Sequence, residues 1–230
     1  MFSRRSLEQV LVYAFFILIP FGIKKVAAIF VYPWGSKPIF LYMVDIAIVA
    51  LFVVWCMRRG WRDIMLSSTA KMLLLFGGIT ILSLGFAFHR GLGAYTLLHL
   101  LLGIFLYFYF SSHPFLKQEV MFRVILVGVA IQTIVGFLQF KAQKSIGVSY
   151  LGETFFGASI PGTATFYFGA EKLVRVPGTF LHPNILGAFL LTGSLLILYF
   201  LLRSRKVFPI IGWSFLYYGV NLLLLLTFSR

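Results

Sequence analysis

The sequence has few charged residues, and very few of them are acidic. Its 230 residues include six Asp or Glu against 20 Lys or Arg, and charged residues make up 11% of the chain. An ordinary soluble domain carries about 25% charged residues. With 60% hydrophobic residues, the chain has too few polar side chains to cover a soluble fold. This composition predicts an integral membrane protein.

Cysteine is scarce, and the sequence lacks the usual signatures of metal and nucleotide sites. A single cysteine, Cys56, excludes an internal disulfide. No group of His, Cys, Asp or Glu has metal-ligand spacing, and the chain contains neither a phosphate-binding glycine loop nor a nucleophile elbow. We therefore expect no metal and no cofactor.

The positive charge is spread between apolar segments. A net charge of +14 would suggest a nucleic-acid partner in a soluble protein. Here the basic residues separate hydrophobic runs, so anionic lipid headgroups, topology signals or an anionic ligand explain them better. We expect membrane lipids as partners and no nucleic acid.

Seven apolar segments are long enough to cross a bilayer, which takes roughly 20 residues with a lower limit of about 17. They lie near residues 7–23, 40–57, 72–88, 92–110, 122–140, 185–202 and 208–228. Pro20 and Gly22 interrupt the first, and we expect it to continue as an interfacial piece through Lys24, Lys25 and Phe30. The sequence thus predicts an all-α, polytopic helical bundle that forms one transmembrane domain over residues 1–230.

The distribution of basic residues predicts the orientation. Basic residues are dense in the short loops after the second and sixth segments, RRGWR and RSRK, as is typical of cytoplasmic loops. We predict a cytoplasmic amino terminus, so that seven spans leave Arg230 on the outer side. The long loop 141–183 lies on that side too. Its six Gly, three Pro and seven Phe or Tyr favour an interfacial loop with aromatic anchors over a plain connector.

The stretch before the sixth span, RVPGTFLHPNILGAFL from Arg175 to Leu190, combines turn, capping and charged residues. We expect Asn184 to cap the helix and Pro183 to hold His182 extended ahead of it. A helix amino terminus with free N–H groups binds phosphate and other anions. This stretch therefore predicts an anion-binding site.

Fixed positive charges accompany this helix start. Pro177, Gly178 and Thr179 permit a tight turn that brings Arg175 over it, and a guanidinium can hold a phosphate in a two-pronged contact. Lys172 is a candidate second charge, and Arg230 reaches the same face in the predicted topology. The alternatives are a solvated loop charge at Arg175 and, at Arg230, an arginine that snorkels at a helix end.

These residues resemble the O-antigen ligase and O-antigen polymerase superfamily of bacterial polytopic membrane proteins. The similar pieces are the stretch from Arg175 to Leu190, GFLQF at 136–140 and LTFSR at 226–230, with PFG at 20–22 and MVDIAI at 43–48 as weaker matches. Together they span most of the chain.

The resemblance implies metal-independent transfer of a glycan from a polyprenyl-pyrophosphate carrier to an acceptor hydroxyl, at the periplasmic face of the bacterial inner membrane. The acceptor is the sugar core of a lipid in a ligase and a growing glycan in a polymerase. By the resemblance, Arg175 and Arg230 would hold the pyrophosphate and Asn184 would shape the start of the sixth span. His182 joins Lys172 among the candidate substrate-binding residues, with no catalytic role assigned to it.

This chain also departs from the family pattern. Family members carry further spans and a large later periplasmic loop with the histidine expected to act on the acceptor. We therefore expect a truncated, donor-binding portion that has no catalytic residue of its own and is inactive alone.

Other polar residues lie within the apolar segments. Asp45 is a functional candidate by default, although we favour a structural pairing with a lysine such as Lys37. We predict that His99, Gln132 and Asn221 form interhelical hydrogen bonds. The second functional hypothesis is a membrane transporter or anion carrier without covalent chemistry, and the third is a scaffold without a ligand. Transporters commonly show polar residues at the midplane and related halves, and neither stands out here.

Overall fold

A computed structural model describes residues 4–32, 35–58, 67–112 and 118–227. By its internal contacts the chain forms two compact units. The amino-terminal unit comprises Met1–Phe15 and Lys24–Lys117, and the carboxyl-terminal unit comprises Phe16–Ile23 and Gln118–Arg230. Each unit is described separately below, and a single transmembrane domain stays a prediction.

Seven α-helices lie in the described ranges, one in each apolar segment that the sequence predicts. They are α1 Arg4–Leu18, α2 Met43–Met57, α3 Ser68–Ser83, α4 Arg90–Ser112, α5 Gln118–Ala142, α6 Pro183–Arg203 and α7 Val207–Leu226. The all-α class is confirmed. Five of them, α3 to α7, are long and apolar enough to cross a membrane, α3 together with the short 3-10 turn that follows it. The other two, α1 and α2, are apolar but have 15 residues each.

The interfacial piece predicted after the first segment is a β-hairpin. Strands β1, Lys24–Tyr32, and β2, Gly35–Tyr42, pair antiparallel, with Lys24 opposite Tyr42. The hairpin has a physical cause: the β1 sequence KKVAAIFVY is rich in β-branched and aromatic side chains, which favour strands. The second helix consequently begins at Met43, three residues later than the predicted span.

In the described part of the amino-terminal unit, aromatic contacts and an ion pair between Glu8 and Arg58 join the helices. Phe105 of α4 packs edge-on against Phe52 and Trp55 of α2, with ring centroids 5.1 and 5.4 Å apart. Glu8 of α1 is fully buried and forms an ion pair with Arg58, at the end of α2. The ion pair compensates a carboxylate that would be costly to bury alone.

In the carboxyl-terminal unit, α5, α6 and α7 pack around one apolar cluster. Its fully buried members are Val129, Val176, Leu186, Leu190, Ile197, Val220 and Leu223. Small residues allow close approach of the helices: a methyl group on Gly136 would overlap Leu223, and one on Gly193 would overlap Val129.

The long segment between α5 and α6 is ordered by short elements. Strands β3, Thr165–Phe168, and β4, Glu171–Val174, form a second antiparallel hairpin that the sequence did not predict. Several aromatic side chains of this segment are exposed, Phe155 by 84%. Exposed aromatic rings suit the predicted interfacial loop, because they gain stability at the headgroup level of a bilayer.

Candidate functional site

Two buried glutamines of α5 hold the turn that follows Arg175. Gln132 and Gln139 are fully buried and lie seven residues apart, which places them on one face of the helix. The Gln139 amide donates to the carbonyl of Gly178 (2.9 Å) and accepts from its N–H (2.9 Å). Gln132 accepts from the N–H of Thr179 (3.1 Å) and donates to its hydroxyl (2.6 Å). We call residues 174–180 the arginine loop.

The predicted tight turn at Pro177–Thr179 is confirmed. The N–H of Phe180 donates to the carbonyl of Pro177 at 3.2 Å, and Gly178 has a φ of +62°. A side chain on Gly178 would also overlap the amide oxygen of Gln132. The Gln132 side chain forms hydrogen bonds with this turn and with the carbonyl of Pro20 (2.6 Å), which follows α1. The prediction that Gln132 forms a hydrogen bond between two helices is therefore wrong.

Glu153 is a second support that the sequence did not reveal. Its buried carboxylate accepts four hydrogen bonds: from the Gln139 amide and the N–H of Ile146 at 2.8 Å each, and from the N–H groups of Gly147 (2.8 Å) and Val148 (2.7 Å). Each oxygen accepts two of them. Glu153 therefore fixes the segment after α5 and is not placed to act as a base.

Arg175 lies where α6 begins and α7 ends. Its Nε donates to the carbonyl of Thr227 (2.8 Å), just after α7, and its Nη2 donates to Oδ1 of Asn184 (2.6 Å), in the first turn of α6. A guanidinium has five N–H donors, and these two contacts leave three without a partner in the described ranges. No carboxylate pairs with Arg175 among those residues. Its charge is held in place and left available.

The cap of α6 differs from the prediction. His182, not Asn184, is the N-cap residue: its Nδ1 accepts from the N–H of Asn184 at 3.1 Å. Pro183 takes the first helical position, where a missing N–H costs nothing, so the cap moves to the residue before it. Asn184 instead uses its side-chain oxygen to hold Arg175.

This cap also uses the amide groups that we expected to bind an anion. Pro183 has no N–H, and the N–H groups of Ile185 (3.0 Å) and Leu186 (3.4 Å) donate to the His182 carbonyl. The prediction of free N–H groups at this helix start is therefore wrong. An anion here would have to bind side chains.

The contact at Nδ1 sets the chemistry of His182. Because Nδ1 accepts a hydrogen bond, the neutral ring carries its proton on Nε2. The exposed ring thus offers an N–H donor and has no free lone pair for a base. This geometry agrees with a binding role for His182 and removes the basis for a catalytic one.

A cavity of about 180 Å³ adjoins both side chains. Arg175 and His182 supply its basic groups, Thr163 a hydroxyl, and Phe155 and Phe156 aromatic surface. It lies wholly within the carboxyl-terminal unit. The cavity thus combines hydrogen-bond donors with aromatic surface.

The structure does not bring every predicted site residue to this cavity. Lys172 is exposed on β4 opposite Tyr167, and it does not line the cavity. Arg230 lies outside the described residues. The nearest described position is Thr227, three residues earlier, whose carbonyl accepts from Arg175.

The polar groups of the other helices form pairs. Asn221 donates to the hydroxyl of Ser194 (3.0 Å), and His99 of α4 contacts Asp45 of α2 (3.2 Å), so both predicted interhelical bonds are confirmed. The predicted pairing of Asp45 with a lysine such as Lys37 stays a prediction, because the side chain of Lys37 lies outside the described part of the structure.

A scan against protein-family models and searches of curated proteins and of solved structures found no match to this chain.

Proposed function

We propose that this protein binds a polyprenyl-pyrophosphate-linked glycan at the outer face of the bacterial inner membrane, for transfer of the glycan to an acceptor hydroxyl. The observation that carries the proposal is the Arg175 guanidinium. It is fixed by two neutral acceptors, has no carboxylate partner among the described residues, and lines a cavity. Such a group matches a diphosphate, which presents several anionic oxygens.

We infer that the chain crosses the membrane seven times, with a cytoplasmic amino terminus. In this topology the start of α6 and the end of α7 lie on the outer side, as expected for two antiparallel neighbours. The contact between Arg175 and the carbonyl of Thr227 supports this pairing of helix ends. Arg230, three residues after Thr227, then adds a second guanidinium at the same membrane surface.

The chemistry follows from the charge that develops on the leaving group. Transfer breaks the bond between the sugar C1 and the phosphate oxygen and forms a bond from C1 to the acceptor oxygen. Negative charge grows on the pyrophosphate as it leaves, and a preorganised guanidinium stabilises that charge more than the ground state. The acceptor proton passes to a base other than His182, because the lone pair of His182 Nδ1 is used by the helix cap.

Binding of polyprenyl pyrophosphate to the chain in lipid nanodiscs tests the first step. Replacing Arg175 with Ala removes the contacts to the diphosphate, so we expect affinity to fall by about tenfold to a hundredfold. Arg175→Lys keeps the charge but loses the two-pronged geometry, so it should recover only part of the affinity. Arg203→Ala is the control, because that arginine lies at the opposite end of α6 and contacts Glu119 and Tyr199.

Binding unchanged by Arg175→Ala would overturn the proposal. In cells that make the glycan, the same substitution should abolish transfer to a larger product and leave membrane insertion intact. Uptake of a solute without any covalent change would instead identify a transporter or anion carrier.

A further inference from the structure

A second cavity, of about 520 Å³, lies in the amino-terminal unit between the β1–β2 hairpin and helices α2 and α4. Its volume falls in the range of roughly 300–1,000 Å³ that is typical of ligand pockets. The walls are almost wholly apolar, and the polar side chains among its lining residues are Asp45, Tyr95 and His99. An ionisable pair in an apolar membrane setting is a functional candidate.

The contacts of His99 fix the charge of this pair. Its Nδ1 lies 3.0 Å from the carbonyl of Tyr95, and its Nε2 lies 3.2 Å from Oδ2 of Asp45. A carbonyl only accepts, so Nδ1 carries a proton. A second proton must then lie between Nε2 and Oδ2, since two lone pairs would otherwise face each other. Whichever atom holds it, the pair as a whole is neutral.

One oxygen of Asp45 remains available. Oδ2 also accepts from the N–H of Tyr42 (3.2 Å), while Oδ1 has no hydrogen-bond donor among the described residues. Asp45 is only 7% exposed, and it lines the cavity. The Tyr95 hydroxyl donates elsewhere, to the carbonyl of Phe40 (2.9 Å). Oδ1 is therefore an acceptor without a donor among the described residues, on a side chain that lines an apolar cavity, and a donor bound there would satisfy it.

These features define what can bind. A cation would leave a net charge in an apolar cavity, and an anion would place its lone pairs against Oδ1, so both are disfavoured. A neutral hydroxyl satisfies Oδ1, and an alkyl or isoprenoid chain covers the apolar walls. We propose that this cavity binds a neutral, hydroxyl-bearing lipid whose O–H donates to Oδ1 of Asp45. This inference is independent of the glycan-transfer proposal, because it concerns residues of the other unit.

Photolabelling in lipid nanodiscs tests the inference, with hexadecanol and its methyl ether as probes, each carrying a diazirine on the chain. The alcohol should label α2 and α4 about tenfold more efficiently than the ether, which has no O–H to donate. Asp45→Ala should abolish this difference between the two probes. Equal labelling by alcohol and ether in the natural chain would overturn the proposal.

A matched pair of variants tests the location without altering the polar groups. Val49 lines the cavity, and Val53 lies one helical turn further along α2, outside it, with similar exposure (44% and 49%). Val49→Trp should fill the cavity and reduce labelling by the alcohol about tenfold, whereas Val53→Trp should leave it unchanged. Equal labelling of the two variants would mean that the alcohol binds elsewhere or only dissolves in the bilayer.

Discussion

Replacing Gln139 with leucine should release the arginine loop from α5. Gln139 is fully buried, and its side chain makes three hydrogen bonds, two with the backbone of Gly178 and one with Glu153. Leucine has a similar length but can neither donate nor accept. The variant thus keeps the apolar packing of α5 and removes the polar contacts that hold the turn after Arg175.

The cost follows from the groups left without partners. Gly178 would lose the partners of both its N–H and its carbonyl, while Oε1 of Glu153 would keep the N–H of Ile146 at 2.8 Å. Each buried, unsatisfied backbone group costs about 1–3 kcal/mol. Two such groups predict that the free energy of unfolding falls by about 2–6 kcal/mol.

Unfolding by SDS in mixed micelles, followed by circular dichroism, measures this loss. Gln118→Leu is the matched control: Gln118 begins the same helix, is exposed, and makes no side-chain hydrogen bond among the described residues. That variant should lose less than about 1 kcal/mol. Equal losses in the two variants would refute the idea that the buried amide of Gln139 holds the loop.

Two further predictions concern backbone space and protonation. Gly152 has a φ of +98°, and a methyl group there would overlap the backbone of Gly22, so Gly152→Ala should greatly lower the yield of folded protein in size-exclusion chromatography. Gly147→Ala, at a φ of +89° with open space around it, should cost only the strain of about 1–2 kcal/mol and fold normally. Burial lowers the pKa of Lys24 from 10.5 to about 8, so between those values the unfolded chain binds the proton that the folded chain has lost, and stability rises with pH. When the SDS unfolding midpoint is measured from pH 7 to 10.5, it should rise with pH in the natural chain and lose this rise in Lys24→Met. The same pH dependence of the midpoint in both proteins would contradict the lowered pKa of Lys24.

The helices were predictable from the sequence, whereas the first hairpin was not. Apolar segments of about 18 residues or more indicate helices whatever their packing. The segment KKVAAIFVY at 24–32 is too short for its apolar run to distinguish a strand from an interfacial helix. Its pairing with residues 35–42 makes this segment a strand, and the sequence of one segment alone does not reveal such a pairing.

The cap of α6 could have been predicted correctly. Proline is common at the first helical position, so Pro183 points to His182 as the N-cap residue. The preference of asparagine for the cap led to the wrong residue. The hydrogen bonds that support the arginine loop were harder to predict from the sequence. Gln139 forms them with Glu153 and Gly178, which lie 14 and 39 positions later in the chain. A partial signal existed in the spacing of Gln132 and Gln139, which places two amides on one face of an apolar helix.

The scarcity of acidic residues, apparent from composition alone, has a structural consequence at Arg175. Six acidic residues are available, and those with a described partner bind elsewhere: Glu8 to Arg58, Asp45 to His99, Glu119 to Arg203, and Glu153 to amide groups. Glu171 is exposed on β4, and Asp63 lies outside the described residues. Neutral amides and carbonyls position the arginine loop, so nothing that holds Arg175 neutralises it. With the amides of the α6 start already bonded to His182, the proposed anion binding at the cavity depends chiefly on this guanidinium.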